Sequence, residues 1–134
     1  MQTILESEGN VLIITIPGEL TDLNSYIKAT NGNRLAGNKV KQADTNLIMY
    51  RFLEAKAAGL KVQTPIKIHF TWYCKNKRKD PDNVAFAKKA ILDGMQKAGI
   101  IQNDGWNEIR GFIDDFEIDK YYPRIEIEIL EETK

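Results

Sequence analysis

The chain has 134 residues, of which 43% are apolar and 28% are charged, and its 19 Lys and Arg balance 19 Asp and Glu. This size and composition predict one globular domain over residues 1–134. A single cysteine excludes an intrachain disulfide and a Cys-rich zinc site. A single histidine provides few of the groups that His-based catalysis requires.

Membrane and export signals are missing from the sequence pattern. No apolar run approaches the roughly 20 residues that cross a bilayer. The first residues lack the basic segment and cleavage site of a signal peptide. We therefore expect a cytoplasmic protein with no membrane partner.

Charge is unevenly distributed along the chain. Residues 24–79 hold 12 Lys and Arg against 2 Asp and Glu, whereas residues 93–134 hold 5 against 11. A basic middle segment predicts an anionic partner. Lysines scattered over a solvated surface are the alternative that charge alone leaves open.

The first half predicts a strand, a short helix and a longer helix. The β-branched run 11–16 is typical of a strand and stops at Pro17-Gly18. A short helix is predicted over 21–29 and a loop over 34–38. A longer helix is predicted over about 39–58, and we expect its apolar stripe to face the core; the stripe consists of Val40, Ala43, Leu47, Tyr50, Leu53 and Ala57.

The second half predicts three strands and one helix. Residues 66–73 alternate, with Trp72 among the core-facing side chains and His69 on the other face, where we expect it to be solvated or paired. A helix is predicted from Pro81 to Ala98, followed by strands over 109–118 and 124–130 that we expect to form an antiparallel hairpin. The order β-α-β-α-β-β predicts a single-domain α/β fold with a mixed sheet and two main helices.

The segment Lys79-Asp80-Pro81-Asp82-Asn83 is the strongest candidate site. It follows a basic run and places two carboxylates one residue apart at the start of a predicted helix. At about 100° per residue, Lys89 and Asp93 lie within about 20° of Asp82, opposite an apolar face. The helix would therefore present acid, base and acid on one side.

Asp104 lies on a turn after this helix and can join the site only if the helix packs back along the sheet. Three carboxylates without a histidine favour Mg²⁺ or Mn²⁺, ions that suit cleavage of a phosphodiester. Simpler interpretations stay open: an N-cap at Asp82 or Asn83, an exposed pair of Lys89 with Asp93, and a plain turn at Asp104.

The ordered motifs resemble the RusA-type Holliday junction resolvases, the crossover junction endodeoxyribonucleases of bacteria and their phages. The motifs are Lys79 to Asn83, Lys89 to Asp93 in the following helix, the Gly99 turn, and Asn103-Asp104. The region 14–18 is similar to the form found in Gram-positive bacteria, their phages and prophages.

The resemblance implies a RusA-like homodimer that cuts four-way DNA junctions by paired symmetric nicks in recombination and repair. It implies Mg²⁺, with Mn²⁺ as a substitute, bound by Asp80, Asp82 and Asp104, and Lys89 as the catalytic lysine beside these acids. The DNA-binding residues would be Lys75, Lys77, Arg78, Lys79 and Lys88.

Two departures from the family pattern affect the assignment. The gap between Asp82 and the lysine is longer than in the best-known members, so Lys88 or Lys89 could be the equivalent. We choose Lys89, because its spacing to Asp93 matches the family. Asn103 stands where a second acid often precedes the catalytic one.

Three questions stay open at this point. A module of the same fold could bind branched DNA without cutting it, and a nuclease could prefer flaps or forks to junctions. Phe86 and Trp106 could stack on bases, but we expect both to be packed against other residues.

Overall fold

The computed structural model describes residues 5–8 and 11–132, with side chains from residue 13 onward. The remaining residues of the predicted domain 1–134 lie outside this description. The described residues form, in chain order, β1 (Leu5–Glu8), β2 (Val11–Pro17), α1 (Leu23–Gly32), α2 (Arg34–Ala57), β3 (Ile66–Cys74), α3 (Pro81–Ala85), α4 (Lys88–Lys97), β4 (Ile109–Ile118) and β5 (Arg124–Glu131).

The strands form one mixed sheet in the order β1-β2-β5-β3-β4, which confirms the predicted α/β class. Neighbouring strands are antiparallel except β3 and β4, which are parallel. β3 lies between β4 and β5, so the last two strands are not neighbours and the predicted antiparallel hairpin is wrong.

β5 lies between β2 and β3 because its alternation suits a central strand. Ile127 lies opposite Ile14 on one side and Phe70 on the other, and all three are fully buried. The chain reaches this position by crossing the end of β3, where the Asp119 N–H donates to the Cys74 carbonyl over 2.8 Å. Adjacency in sequence therefore does not give adjacency in the sheet here.

The core lies between one face of the sheet and the helices. It contains Phe52 from α2, Met95 from α4 and Trp72 from β3. The side chains of β3 alternate between buried and more exposed, as predicted. Burial of this single continuous apolar face is the main stabilising term for such a two-layer fold.

The other face of the sheet is polar, and His69 lies on it, as expected. Its Nε2 is 2.7 Å from Asp115 and its Nδ1 is 3.4 Å from Glu128. Burial alone lowers the pKa of His69, but hydrogen bonds to these two carboxylates raise it above its ordinary value. The histidine is thus a paired surface residue.

Residues 34–38, predicted as a loop, are the first turns of α2. Asn33 separates the two helices in an extended conformation, and its side chain accepts a 2.8 Å hydrogen bond from the Leu35 N–H. This N-cap starts α2 about five residues earlier than the apolar pattern indicated.

The predicted core stripe of α2 is wrong. The buried side chains are Thr45, Ile48, Phe52 and Ala55. Of the predicted stripe, Val40 is half-buried and the other members are exposed: Ala43, Leu47, Tyr50, Leu53 and Ala57. α2 therefore has a second apolar face that is not covered by the described part of its own chain.

The predicted helix over 81–98 is divided into α3 and α4 by a turn at residues 86–87. Phe86 interrupts the apolar pattern and packs against Tyr26, with ring centroids 5.3 Å apart. The predicted inward face is confirmed, since Ala87, Ile91 and Met95 are buried.

None of the helices in the described ranges has the length and apolar character that a membrane span requires.

Candidate functional site

Asp80 and Asp82 lie at the start of α3, just beyond the end of β3. Asp80 occupies the N-cap position and Pro81 the first helical position, where a missing N–H costs no helical hydrogen bond. The Asp80 side chain makes no capping bond. Both carboxylates are exposed, and neither has a hydrogen bond or ion pair with any described residue. The N-cap residue of α3 is therefore Asp80, and the predicted N-cap role of Asp82 or Asn83 is wrong.

The segment carrying these aspartates is fastened to the start of α1. Lys79 Nζ lies 3.3 Å from Asp22 Oδ1, and Asn83 Oδ1 accepts a 2.8 Å hydrogen bond from the Asn24 N–H. Asn83 is buried, and Asp22 is only 5% exposed. This ion pair and this hydrogen bond flank the two aspartates in sequence, and they hold the segment against α1.

Asp22 is a buried anion stabilised by local donors. Burial alone raises the pKa of its carboxyl, but hydrogen bonds from the hydroxyl and backbone N–H of Ser25, together with the Lys79 ammonium, lower the pKa to about 2. Lys79, predicted to contact DNA, is thus paired within the protein.

Lys89 and Asp104 meet at the start of α4. Lys89 Nζ is 3.3 Å from Asp104 Oδ2 and 3.1 Å from Asp93 Oδ1. The hydrogen bond to Asp93 raises the pKa of Lys89, burial lowers it, and the bond to Asp104 raises it further, so the net shift is upward. The ammonium is therefore retained at neutral pH.

The turn that carries Asp104 runs back along α4. Asn103 Oδ1 accepts hydrogen bonds from the Asp104 N–H at 2.9 Å and from Gln96 Nε2 at 3.4 Å. The turn thus returns Asp104 to the start of α4, beside Lys89. Asn103, a departure from the family pattern, orients the turn.

Lys88 has a different environment from Lys89. Its Nζ is 2.7 Å from Asp114 Oδ2 and 4.5 Å from the centroid of the Phe112 ring. Asp114 also accepts a 2.9 Å hydrogen bond from Trp72 Nε1. Lys88 is thus part of a partly buried link between α4 and the sheet, and only Lys89 of the two contacts a predicted site acid.

The basic run after β3 is exposed. Lys75, Lys77 and Arg78 have no ion pair with another described residue, and the loop turns where Asn76 Oδ1 accepts from the Arg78 N–H over 3.0 Å. Three cationic side chains therefore remain available to an anionic partner beside Asp80.

A cleft of about 150 Å³ opens next to Lys89. Its walls include Tyr26, Lys41, Asp44 and Phe86. Lys89 therefore faces a space that is bounded by aromatic rings and by a second lysine.

The three predicted metal ligands do not form one compact group. Within residues 13–132, no three His, Cys, Asp or Glu side chains lie close enough together to hold a metal ion. Asp104 is engaged by Lys89, whereas Asp80 and Asp82 are unpaired. Two exposed aspartates one residue apart still fit Mg²⁺ chemically, because this ion commonly takes one or two carboxylates and keeps several waters.

Sequence reasoning missed Asp22 and the role of Asn83. The motif Thr21-Asp22-Leu23 carries an N-cap signal that could have identified Asp22. The bond between Asn24 and Asn83 joins residues 59 apart in sequence, and no local pattern predicts it.

Scans against protein-family models and against curated proteins gave no match.

Proposed function

We propose that this protein is a metal-dependent endodeoxyribonuclease that resolves four-way DNA junctions, in keeping with its resemblance to RusA-type resolvases. The contact of Lys89 with Asp104 is the observation that carries the proposal. It joins a helix residue and a turn residue that the motif pattern pairs as catalytic lysine and catalytic acid. Two unpaired aspartates beside an exposed basic loop further support it.

In this proposal Asp80 and Asp82 hold the metal ion. Bound Mg²⁺ supplies charge neutralisation at the phosphate and activates a water for attack. No existing ion pair or hydrogen bond of these carboxylates would have to break, since neither is paired with a described residue. Asp104 would join them once its bond to Lys89 is exchanged for another partner.

Lys89 acts in the proposal through its charge. Its side chain is 56% exposed and its ammonium is retained at neutral pH. A cation at this position stabilises negative charge on the phosphate or on the leaving oxygen. Asp93 holds it in place from one helical turn further along.

DNA contact in the proposal comes from the exposed basic loop. Lys75, Lys77 and Arg78 would neutralise phosphates, so binding should weaken steeply with salt. Trp106 lies two residues after Asp104 and is 93% exposed, contrary to the expected packing. An aromatic ring in this position can stack on a base.

Paired symmetric nicks need two active sites related by a two-fold axis, which a homodimer provides. The proposal therefore includes a homodimer acting on branched DNA in the cytoplasm, in recombination and repair.

A second function is favoured by one observation. Since Asp104 is turned towards Lys89 and no three-carboxylate group is assembled in residues 13–132, the chain could bind branched DNA without cutting it. Junction binding without cleavage in Mg²⁺ or Mn²⁺ would favour this module.

The test is cleavage of a synthetic four-way junction in Mg²⁺ by the wild type and by Asp82→Asn. We expect paired nicks from the wild type, and loss of nicking with junction binding retained in Asp82→Asn. Asp115→Asn makes the same chemical change on the polar face of the sheet and should leave nicking intact. Equal loss of binding and cleavage in Asp82→Asn would instead make Asp82 a structural residue.

Flap, fork and single-stranded substrates belong in the same assay. Preference for one of these over the four-way junction would keep the nuclease chemistry but overturn the proposed substrate.

A further inference from the structure

The cleft beside Lys89 lies between α1, α2 and the start of α4, and the proposed function leaves it unused. Its volume is about 150 Å³. Tyr26 lines it from α1, Val40 and Lys41 line it from α2, and Phe86 lines it from the turn between α3 and α4. The cleft is therefore formed by the packing of separate helices against one another.

One wall of the cleft is aromatic. The rings of Tyr26 and Phe86 contact each other, with centroids 5.3 Å apart and planes inclined by 34°. Both side chains are half-buried, so part of each ring is not covered by the protein. Aromatic surface of this kind can stack on the face of a nucleobase.

The rim of the cleft is cationic. Lys89 lines one side, and Lys41 on the other side is exposed and has no ion pair with another described residue. Residues 23–43 contain no Asp or Glu and four basic residues: Lys28, Arg34, Lys39 and Lys41. Asp44, the acid that lines the cleft, accepts a 2.9 Å hydrogen bond from the Thr21 N–H. The surface around the cleft therefore attracts an anion.

We propose that this cleft binds the base of an unpaired nucleotide, whose phosphate is held by Lys41 and Lys89. The inference rests on the proposed function, because it places the base beside the phosphate on which Lys89 acts. A cavity of about 150 Å³ holds one six-membered aromatic ring. A pyrimidine therefore fits within the cleft, whereas part of a purine would project from it.

The cleft would distinguish unpaired bases from paired ones. A base within a duplex must be unstacked and unpaired before it can enter a pocket, and a base in a bulge or a single strand has already lost these interactions. The exposed basic loop contacts phosphates, which are common to both kinds of DNA. Selectivity would thus come from Tyr26 and Phe86, and much of the affinity from the loop.

The first test is a titration of the full chain with thymidine 5′-monophosphate in EDTA, followed by the chemical shifts of the backbone amides. We expect saturable shifts at the residues that line the cleft. Deoxyribose 5-phosphate lacks the base and should bind roughly fivefold or more weakly. Deoxyadenosine 5′-monophosphate should also bind more weakly than the thymidine nucleotide. Equal affinity for deoxyribose 5-phosphate, or shifts confined to the basic loop, would overturn the proposal.

Two variants test the cleft from opposite sides. Phe86→Leu removes a ring but keeps an apolar side chain, and should lower the affinity for thymidine 5′-monophosphate roughly fivefold or more. Val40→Phe fills the cleft from α2 and should also lower the affinity. Phe112→Leu changes an exposed aromatic residue of β4 and is the matched control. The urea unfolding midpoint shows whether each variant is folded. Wild-type affinity in either folded cleft variant would overturn the proposal.

The second test compares a DNA duplex with the same duplex carrying one unpaired thymine, by fluorescence anisotropy in EDTA. The wild type should bind the bulged duplex more tightly. Phe86→Leu should bind the two duplexes with equal affinity, because its contacts are then mainly with phosphates. A wild type without preference, or a preference that Phe86→Leu retains, would contradict the assignment of the cleft.

Both tests omit metal, so their outcome is separate from that of the nuclease assay. Nucleotide binding in the cleft without junction cleavage would keep this inference and remove the proposed activity. Junction cleavage by a protein that binds no nucleotide in the cleft would keep the activity and remove this inference.

Discussion

Lys89 Nζ lies 3.3 Å from Asp104 Oδ2, although fifteen residues separate the two in the chain. The contact closes the turn after α4 onto the start of the same helix. It also brings together two residues that the motif pattern assigned to one site. Lys89 binds Asp93 at the same time, so its ammonium is held between two carboxylates.

Lys89→Met should abolish most of the proposed nicking with little effect on the fold. The variant removes the charge that would stabilise the phosphate, an effect of roughly 10²-fold or more in rate. The ion pairs lost are exposed and worth about 1 kcal/mol or less. The measurement is the junction cleavage rate together with the urea unfolding midpoint. Lys97→Met, an exposed lysine on the same helix, is the matched control and should keep its rate.

Lys88→Met, in contrast to Lys89→Met, should lower the stability of the fold and leave the cleavage rate unchanged. It leaves the Asp114 carboxylate with one partner fewer in a partly buried position, which costs about 1–3 kcal/mol. We expect a lower free energy of unfolding with the cleavage rate per folded molecule retained. A large loss of rate at unchanged stability would instead make Lys88 the catalytic lysine.

Trp106 should report DNA binding by its fluorescence. The protein has two tryptophans, and Trp72 is 1% exposed while Trp106 is 93% exposed. Acrylamide should quench mainly Trp106 in the free protein, and a bound junction should protect it if the ring stacks on DNA. Trp106→Phe should keep the affinity and lose the signal, whereas Trp106→Ala should weaken binding. Equal quenching with and without the junction would place Trp106 away from the DNA.

Gly94→Ala should destabilise the contact between α2 and α4. An added Cβ would lie 2.6 Å from the Cβ and Cγ2 atoms of Ile48 and 2.9 Å from the Thr45 carbonyl oxygen. Overpacking of this kind costs about 1–3 kcal/mol. Gly32→Ala is the control, because its Cβ would meet no atom within 4 Å. Chemical unfolding of both variants gives the comparison, and equal stability would mean that the helices separate at little cost.

The strands and the core face were predictable because short-range alternation determines which side of a strand is buried. Ile66, Phe70 and Trp72 follow this rule. The position of β5 was not predictable in the same way. Pairing across the sheet depends on partners far apart in sequence, and a five-residue connection can either form a hairpin or cross a strand.

α2 shows where the apolar pattern is ambiguous. Ile48 and Phe52 define one stripe and Leu47 and Tyr50 define another, and hydrophobicity alone does not rank them. The sequence predicted the exposed stripe as the core. Only the packing of α4, with Gly94 against Ile48, determines which stripe is buried within the chain.

For the candidate site, the sequence supplied a set of residues but not their arrangement. The motif located Asp80, Asp82, Lys89 and Asp104 in sequence. The pairing of Lys79 with Asp22 depends on the path of α1 across the β3–α3 segment, and no local pattern carries that information.

Asp22→Asn should remove part of the acid sensitivity of the fold. The folded-state pKa of Asp22 is about 2, below its ordinary value of 3.8. The carboxylate therefore stabilises the folded state above pH 3.8, and this contribution is lost as pH falls through 2. A shift of this size corresponds to about 2 kcal/mol. The free energy of unfolding, measured in urea at several pH values, should differ between wild type and variant near neutral pH and converge in acid. Asp82→Asn, which makes the same chemical change at an exposed carboxylate without a described partner, is the matched control. If the curves of wild type and Asp22→Asn stay parallel down to pH 2, the hydrogen bonds from Ser25 and the ion pair with Lys79 do not stabilise the folded state through the Asp22 charge.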